Sequence, residues 1–153
     1  SFATDCFGFD GKRQGFIINL GSGLGSIGDN RPGLGLTIKI GYGIHNRFAI
    51  HFNSSSVAEL GRPSEERPQL RFDGLGATIY FAESAPSGFL SGAIGQASYR
   101  SGLRLGWKRD FGLNAGGGYE FMKNWSFSVV YSLGKIEGLN RYAMIAKINH
   151  LWY

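Results

Sequence analysis

The sequence predicts an all-β chain, an eight-stranded antiparallel up-and-down transmembrane β-barrel. Three observations carry that expectation. The last segment alternates Tyr142, Met144, Ala146, Ile148, His150 and Trp152 against Ile145, Lys147 and Asn149, and the chain then stops on Tyr153. A strand with one apolar and one mostly polar face, ending on an aromatic, is suited to close a barrel whose apolar side meets lipid. The same two-faced period recurs along most of the chain. And no stretch approaches the ~18 uninterrupted apolar residues of a membrane helix. The 25 glycines follow no collagen-like period, and the mean hydropathy of −0.12 is what alternating faces give.

The first strand is expected over about 15–26, with Phe16, Ile18, Leu20 and Leu24 opposite Gly15, Asn19, Gly21, Gly23 and Gly25. The second sets Leu34, Leu36, Ile38, Ile40, Tyr42 and Ile44 against Gly33, Gly35, Thr37, Lys39, Gly41 and Gly43. Strict alternation over that span fits a strand and no helix. After a turn at His45–Asn46, the third strand opposes Phe48, Ile50 and Phe52 to Ala49, His51, Asn53 and Ser55. The polar segment from Glu59 to Pro68 reads as the longest loop. The fourth strand carries Leu75, Ala77, Ile79 and Phe81 opposite Gly74, Gly76, Thr78 and Tyr80. Pro86 and Gly88 mark the next turn. The fifth strand, 89–99, has no clearly polar face. The sixth, about 108–121, opposes Phe111, Leu113, Ala115, Tyr119 and Phe121 to Gly112, Asn114, Gly116, Gly118 and Glu120. Met122–Asn124 turns into a seventh strand with Trp125, Phe127, Val129, Tyr131 and Leu133 on one face and Ser126, Ser128, Val130 and Ser132 on the other. A loop is expected over 134–141 before the eighth. The domain reading is an N-terminal segment, 1–14, and a barrel, 15–153.

With the short turns and the chain ends placed at one end, Phe16, Tyr42, Phe48, Phe81, Phe89, Tyr119, Phe121, Trp125, Phe127 and Trp152 fall near one level. Aromatic rings favour the membrane interface, where an apolar body and a polar edge are both satisfied. A sparser set, Tyr99, Phe111, Tyr131 and Tyr142, falls toward the other end. An open sheet in lipid would strand unpaired backbone groups at several kcal/mol each, so the strands must close. Eight strands leave a lumen that side chains can just fill, which excludes a wide pore.

The enclosed face is expected to carry a polar network of Asn19, Lys39, His51, Asn114, Glu120, Lys147 and Asn149, with Asn53 and Tyr80 beside it. Buried charge needs partners, so Glu120 is expected to pair with Lys39 or Lys147. The network reads as a structural plug, with a gated ion path as the rival.

No cofactor is implied. Gly23-Leu-Gly-Ser-Ile-Gly28 has the letters of a dinucleotide fingerprint but lacks the helix that would meet the phosphate. His51, Asn53 and Ser55 share a face, with Asp73 within reach on the next strand, which raises a hydrolase reading resembling the lipid A deacylases. The three histidines have no metal-ligand spacing. Cys6, the lone cysteine, allows no internal disulfide. A net charge of +5 is spread among loop residues with no basic stripe interleaved with aromatics, so nucleic acid is not an expected partner. Loop Arg and Lys suit outer-membrane lipids and lipopolysaccharide phosphates, and other envelope proteins are further expected partners.

The stretch from Phe111 to Tyr131, a Gly-rich strand ending Gly118-Tyr-Glu120, a tight turn and an aromatic-led strand, resembles the OmpA-like family of small outer-membrane barrels. The resemblance implies a bacterial outer-membrane location and a structural, adhesive or weakly pore-forming role. The sequence given carries no peptidoglycan-binding domain after its last strand, so cell-wall anchoring is not expected. The rivals are a narrow small-solute channel and a water-soluble lipocalin-type barrel around an apolar ligand.

Overall fold

The computed structural model describes residues 12–28, 32–102 and 104–153, and Cys6, Asp29 and Arg31 lie outside them. Eight antiparallel strands form a closed barrel in chain order: β1 (Gly15–Ile27), β2 (Pro32–His45), β3 (Phe48–Glu59), β4 (Gln69–Tyr80), β5 (Ser87–Arg100), β6 (Lys108–Met122), β7 (Trp125–Ile136) and β8 (Leu139–Trp152). β8 pairs back onto β1 from Trp152 opposite Ile18 to Ala143 opposite Ile27. Every strand has 12 to 15 residues, more than the ~9–11 that a tilted strand needs to cross a bilayer.

The alternation written in the sequence decides which side chains face out. Leu36, Ile38, Ile40, Leu75, Ile94 and Ile148 are all exposed, while Thr37, Lys39, Asn149 and Lys147 beside them are buried. In water such a continuous apolar wall would be a severe liability; against hydrocarbon it is the favourable side. A water-soluble barrel holding an apolar ligand requires the reverse arrangement, so the lipocalin-type reading is overturned.

Several boundaries differ from expectation. β3 runs to Glu59 and β4 begins at Gln69, five residues before Gly74, because Val57, Leu70 and Phe72 continue the inward period and are almost wholly buried. The polar segment is thus a loop of 60–68 with one 3-10 turn, Ser64–Glu66. The expected loop at 134–141 is a two-residue hairpin turn. Glu137 and Gly138 both take positive φ, 54° and 76°, the twist that matches the flanking strands. Phe89 was expected outward with the interface aromatics, but it lies on the enclosed face, 6% exposed and beside Tyr80. Tyr99 follows the same parity and packs on the enclosed apolar cluster. β5 misled because small residues dominate both of its faces.

The two ends of the barrel differ. The tight turns at 46–47 and 123–124, the turn at 81–86, Arg13 and Tyr153 gather at one end, the turn end. Gly28, the segment 60–68, residues 101–102 and 104–107 and the turn at 137–138 lie at the other, the loop end.

Candidate functional site: the barrel lumen and its outer mouth

The lumen is filled in three layers. At the turn end, Glu120 on β6 is fully buried and holds two partners from outside the strands. Arg13, just before β1, donates to its Oε2 from Nε at 3.0 Å and from Nη2 at 2.6 Å. Arg13 also donates from Nη1 to the Ala82 carbonyl at 2.7 Å, and its guanidinium lies 4.1 Å from the Tyr80 ring centre. Tyr153, beyond the end of β8, donates its hydroxyl to Glu120 Oε1. Burial, reinforced by the carboxylate it bonds, pushes the Tyr153 phenol up to about 12. Ile17, Ala49, Leu151 and Tyr153 pack beside this pair as a small apolar cluster.

This corrects the expected pairing. Glu120 bonds neither Lys39 nor Lys147, because Arg13 and Tyr153 take both of its oxygens. The signal for Arg13 was present in the sequence: it precedes Gly15, Ile17 and Asn19 at the same inward parity.

The middle layer is polar. Asn114 is its hub, accepting from Asn53 Nδ2 at 3.1 Å and donating to Ser132 Oγ at 2.8 Å and Ser55 Oγ at 3.4 Å. Asn149 donates to Ser128 Oγ at 2.9 Å and Ser126 Oγ at 3.2 Å. His51 Nε2 and Thr78 Oγ1 are hydrogen-bonded at 3.0 Å. Lys39 donates to Ser91 Oγ at 3.2 Å, while Lys147 Nζ and Asn19 Oδ1 meet no hydrogen-bond partner among the described residues. The structure therefore places Asn19, Lys39, His51, Asn114, Lys147 and Asn149 together here and sets Glu120 apart from them. Thr78, Ser126, Ser128 and Ser132, which the alternation places on the polar faces, complete the network, and Ser91 joins them from β5, whose two faces the sequence did not sort.

Toward the loop end a third layer is apolar: Val57, Leu70, Ala97, Ile136, Ala143 and Ile145, with Ile27 and Tyr99 against it. Ile145 fills the space that a side chain on Gly35 would take. Above this layer lies a cleft of about 290 Å3 lined by Glu59, Arg62, Tyr99, Asn140, Arg141 and Tyr142 among others. Arg62 Nε lies 3.0 Å from Glu59 Oε1, and the Arg141 guanidinium lies over the Tyr99 ring at 4.5 Å.

No nucleophile–base pair forms around His51. Its ring bonds Thr78, not Ser55, and Asp73 points to the outer wall in an ion pair with Arg71 at 2.6 Å. Pairing put Asp73 opposite Ser54, one residue off the enclosed face. On the outer wall, Phe16, Tyr42, Phe48, Phe81, Tyr119, Phe121, Trp125, Phe127 and Trp152 are all exposed and lie in the turn-end halves of their strands or just beyond. His150 sits between Trp125 and Trp152, with ring centres 4.6 and 4.2 Å away.

A closed antiparallel barrel of eight strands with an apolar outer wall and a charged, glycine-lined interior has counterparts among solved structures. Neisserial surface protein A is similar over 91% of this chain and 97% of its own, with a TM-score of 0.73 at 18% identity. The chain has the fold of the small outer-membrane β-barrels. The N-terminal barrel domain of Pseudomonas aeruginosa OprF matches with a TM-score of 0.58 at 12% identity, covering 91% of this chain and 98% of that one. The attachment invasion locus protein Ail of Yersinia pestis, solved in complex with the heparin analogue sucrose octasulfate, matches with a TM-score of 0.52 at 14% identity, covering 91% and 99%. No protein-family model matches the chain, and no curated protein matches it in sequence.

Proposed function

We propose that this chain is an integral protein of the bacterial outer membrane, a closed barrel with a structural and surface-interaction role. The observation that carries this reading is the layered filling of the lumen. The Arg13–Glu120–Tyr153 cluster occupies one end and the Val57–Leu70–Ile145 cluster the other. A barrel filled in this way acts through its wall and its loops. The loop end faces the cell exterior and the turn end the periplasm, the usual sidedness of such barrels. Its mouth then offers Arg62 and Arg141 beside Tyr99 to the phosphate layer of lipopolysaccharide, where guanidinium groups bind bidentately. A solved neighbour carrying a sulfated sugar analogue supports anion contact as a use of this fold.

The test has two readouts. In planar bilayers the protein is expected to give no discrete conductance. In vesicles, incorporation is expected to be favoured by lipopolysaccharide over neutral phospholipid, with the preference reduced in an R62Q/R141Q variant and by salt. Steady single-channel steps would instead favour the narrow-channel reading, for which the lumen lysines are the supporting observation. Equal incorporation into both lipids would remove the lipopolysaccharide contact.

A further inference from the structure

The apolar wall is not equally tall all the way round. Following hydrogen-bonded partners once around the barrel from Phe16 leads back to β1 at Ser26, ten residues nearer the loop end. Each strand is thus offset from the next by about one and a quarter residues, and the offset gives every outward side chain a level along the barrel axis. At the turn end the wall begins evenly, at Phe16, Phe48, Phe81, Phe121 and Trp152.

At the loop end it does not finish evenly. On β2, β6, β7 and β8 the upper outward positions hold apolar or aromatic side chains as far as Leu34, Phe111, Leu133 and Tyr142. On β3, β4 and β5 the outward face turns polar after Phe52, Leu75 and Ile94. Ser54, Asp73, Gln96 and Arg71 follow, at the levels that Ala146, Tyr131, Met144 and Leu133 hold on β7 and β8. The band is shorter in this sector by about four residues, roughly 10 Å for tilted strands.

The notch so formed carries charge. Arg71 pairs with Asp73 at 2.6 Å. Arg71 also sits opposite Ser98, which sits opposite Arg109 on β6, so two arginines flank one serine at roughly 10 Å. Above them Arg100 donates from Nε to Gln69 Oε1 at 3.0 Å. On β4 and β5 the outward side chains from the notch to the strand ends are all polar. Tilting the barrel to lift the notch out of hydrocarbon would draw Arg47 and Glu83, beside Phe48 and Phe81, into it at the other end. A protein partner would bury charge at the centre of its contact, where interfaces are depleted of it. A bilayer, by contrast, can thin beside a short apolar stretch.

We propose that the β3–β5 sector draws the loop-end leaflet down toward Asp73, so that lipid headgroup phosphates sit against Arg71 and Arg109. The rest of the wall meets a leaflet of ordinary depth. The inference rests on the membrane-spanning reading of the barrel.

The experiment uses the whole chain with C6S and one nitroxide label, at S54C or at A146C, folded into phosphatidylglycerol vesicles. The two positions share one level on different sectors. The S54C label is expected to collide several-fold more often with a water-soluble nickel chelate, relative to oxygen, than the A146C label. It is also expected to speed the phosphorus relaxation of the lipid several-fold more. Adding R71L/D73L should erase both differences, and the comparison of S54C with A146C does not need that variant to fold. Hydrocarbon-like collision ratios at both positions would overturn the proposal. So would exclusion of both reagents at S54C together with dimers on cross-linking, the mark of a protein partner. Nickel access at A146C equal to that at S54C would overturn the membrane reading of the wall, and this inference with it.

Discussion

At the scale of single residues, Glu120 is the side chain on which most depends. It is fully buried and both of its oxygens are engaged, so its removal leaves the Arg13 guanidinium enclosed without a counter-charge. Breaking one member of such a pair costs about 3–5 kcal/mol, whereas replacing both by apolar groups is often close to neutral. E120L is therefore expected to lower stability by roughly that amount, and R13M/E120L to recover most of it, as read by urea titration in micelles. Y153F removes a hydrogen bond to a charged acceptor and should cost about 1.5–3 kcal/mol in the same assay. Gly35 makes a different demand. A Cβ there runs into Ile145, so G35A should destabilise by about 1–3 kcal/mol through overpacking, read by the same urea titration.

At the scale of elements, most of the barrel could be read from the sequence, and the reasons for the misses are physical. β2 alternates large apolar residues with glycine, threonine and lysine over its whole length, so both its extent and its facing were plain. β4 was read short because Leu70 and Phe72 are apolar yet enclosed, against the rule that apolar residues face out. A narrow lumen needs filling, and its loop end is filled with hydrocarbon. β5 was faced the wrong way because glycine, serine and alanine occupy both of its sides, so nothing countered the outward placing of Phe89 and Tyr99. The lumen network was legible as a set of inward residues, but its pairings were not. Which acid meets which base depends on distances around the barrel, and period-2 alternation carries no such information. The 137–138 turn makes a prediction at this scale. Glu137 and Gly138 both hold positive φ, and G138A should cost about 1 kcal/mol, seen as a lower urea midpoint with the fold intact.

At the scale of the whole molecule, the aromatic level on the outer wall fixes depth in the membrane. Trp125 and Trp152 are both exposed near the turn end, on neighbouring strands. In a W107F background, lipids brominated near the headgroup should quench their fluorescence more than lipids brominated near the chain terminus. Equal quenching would place the girdle wrongly. The seam between β1 and β8 has a further consequence. It is the one strand pair with no loop joining its members. Yet Arg13, which leads into one side of it, and Tyr153, which follows the other, both grip a carboxylate carried by neither strand. Glu120 thus acts as a buckle that fastens only when the first and last strands have arrived. A chain interrupted before β8 would lack Tyr153 and leave Glu120 Oε1 without its hydroxyl donor, while the β1 edge that β8 pairs would stay open.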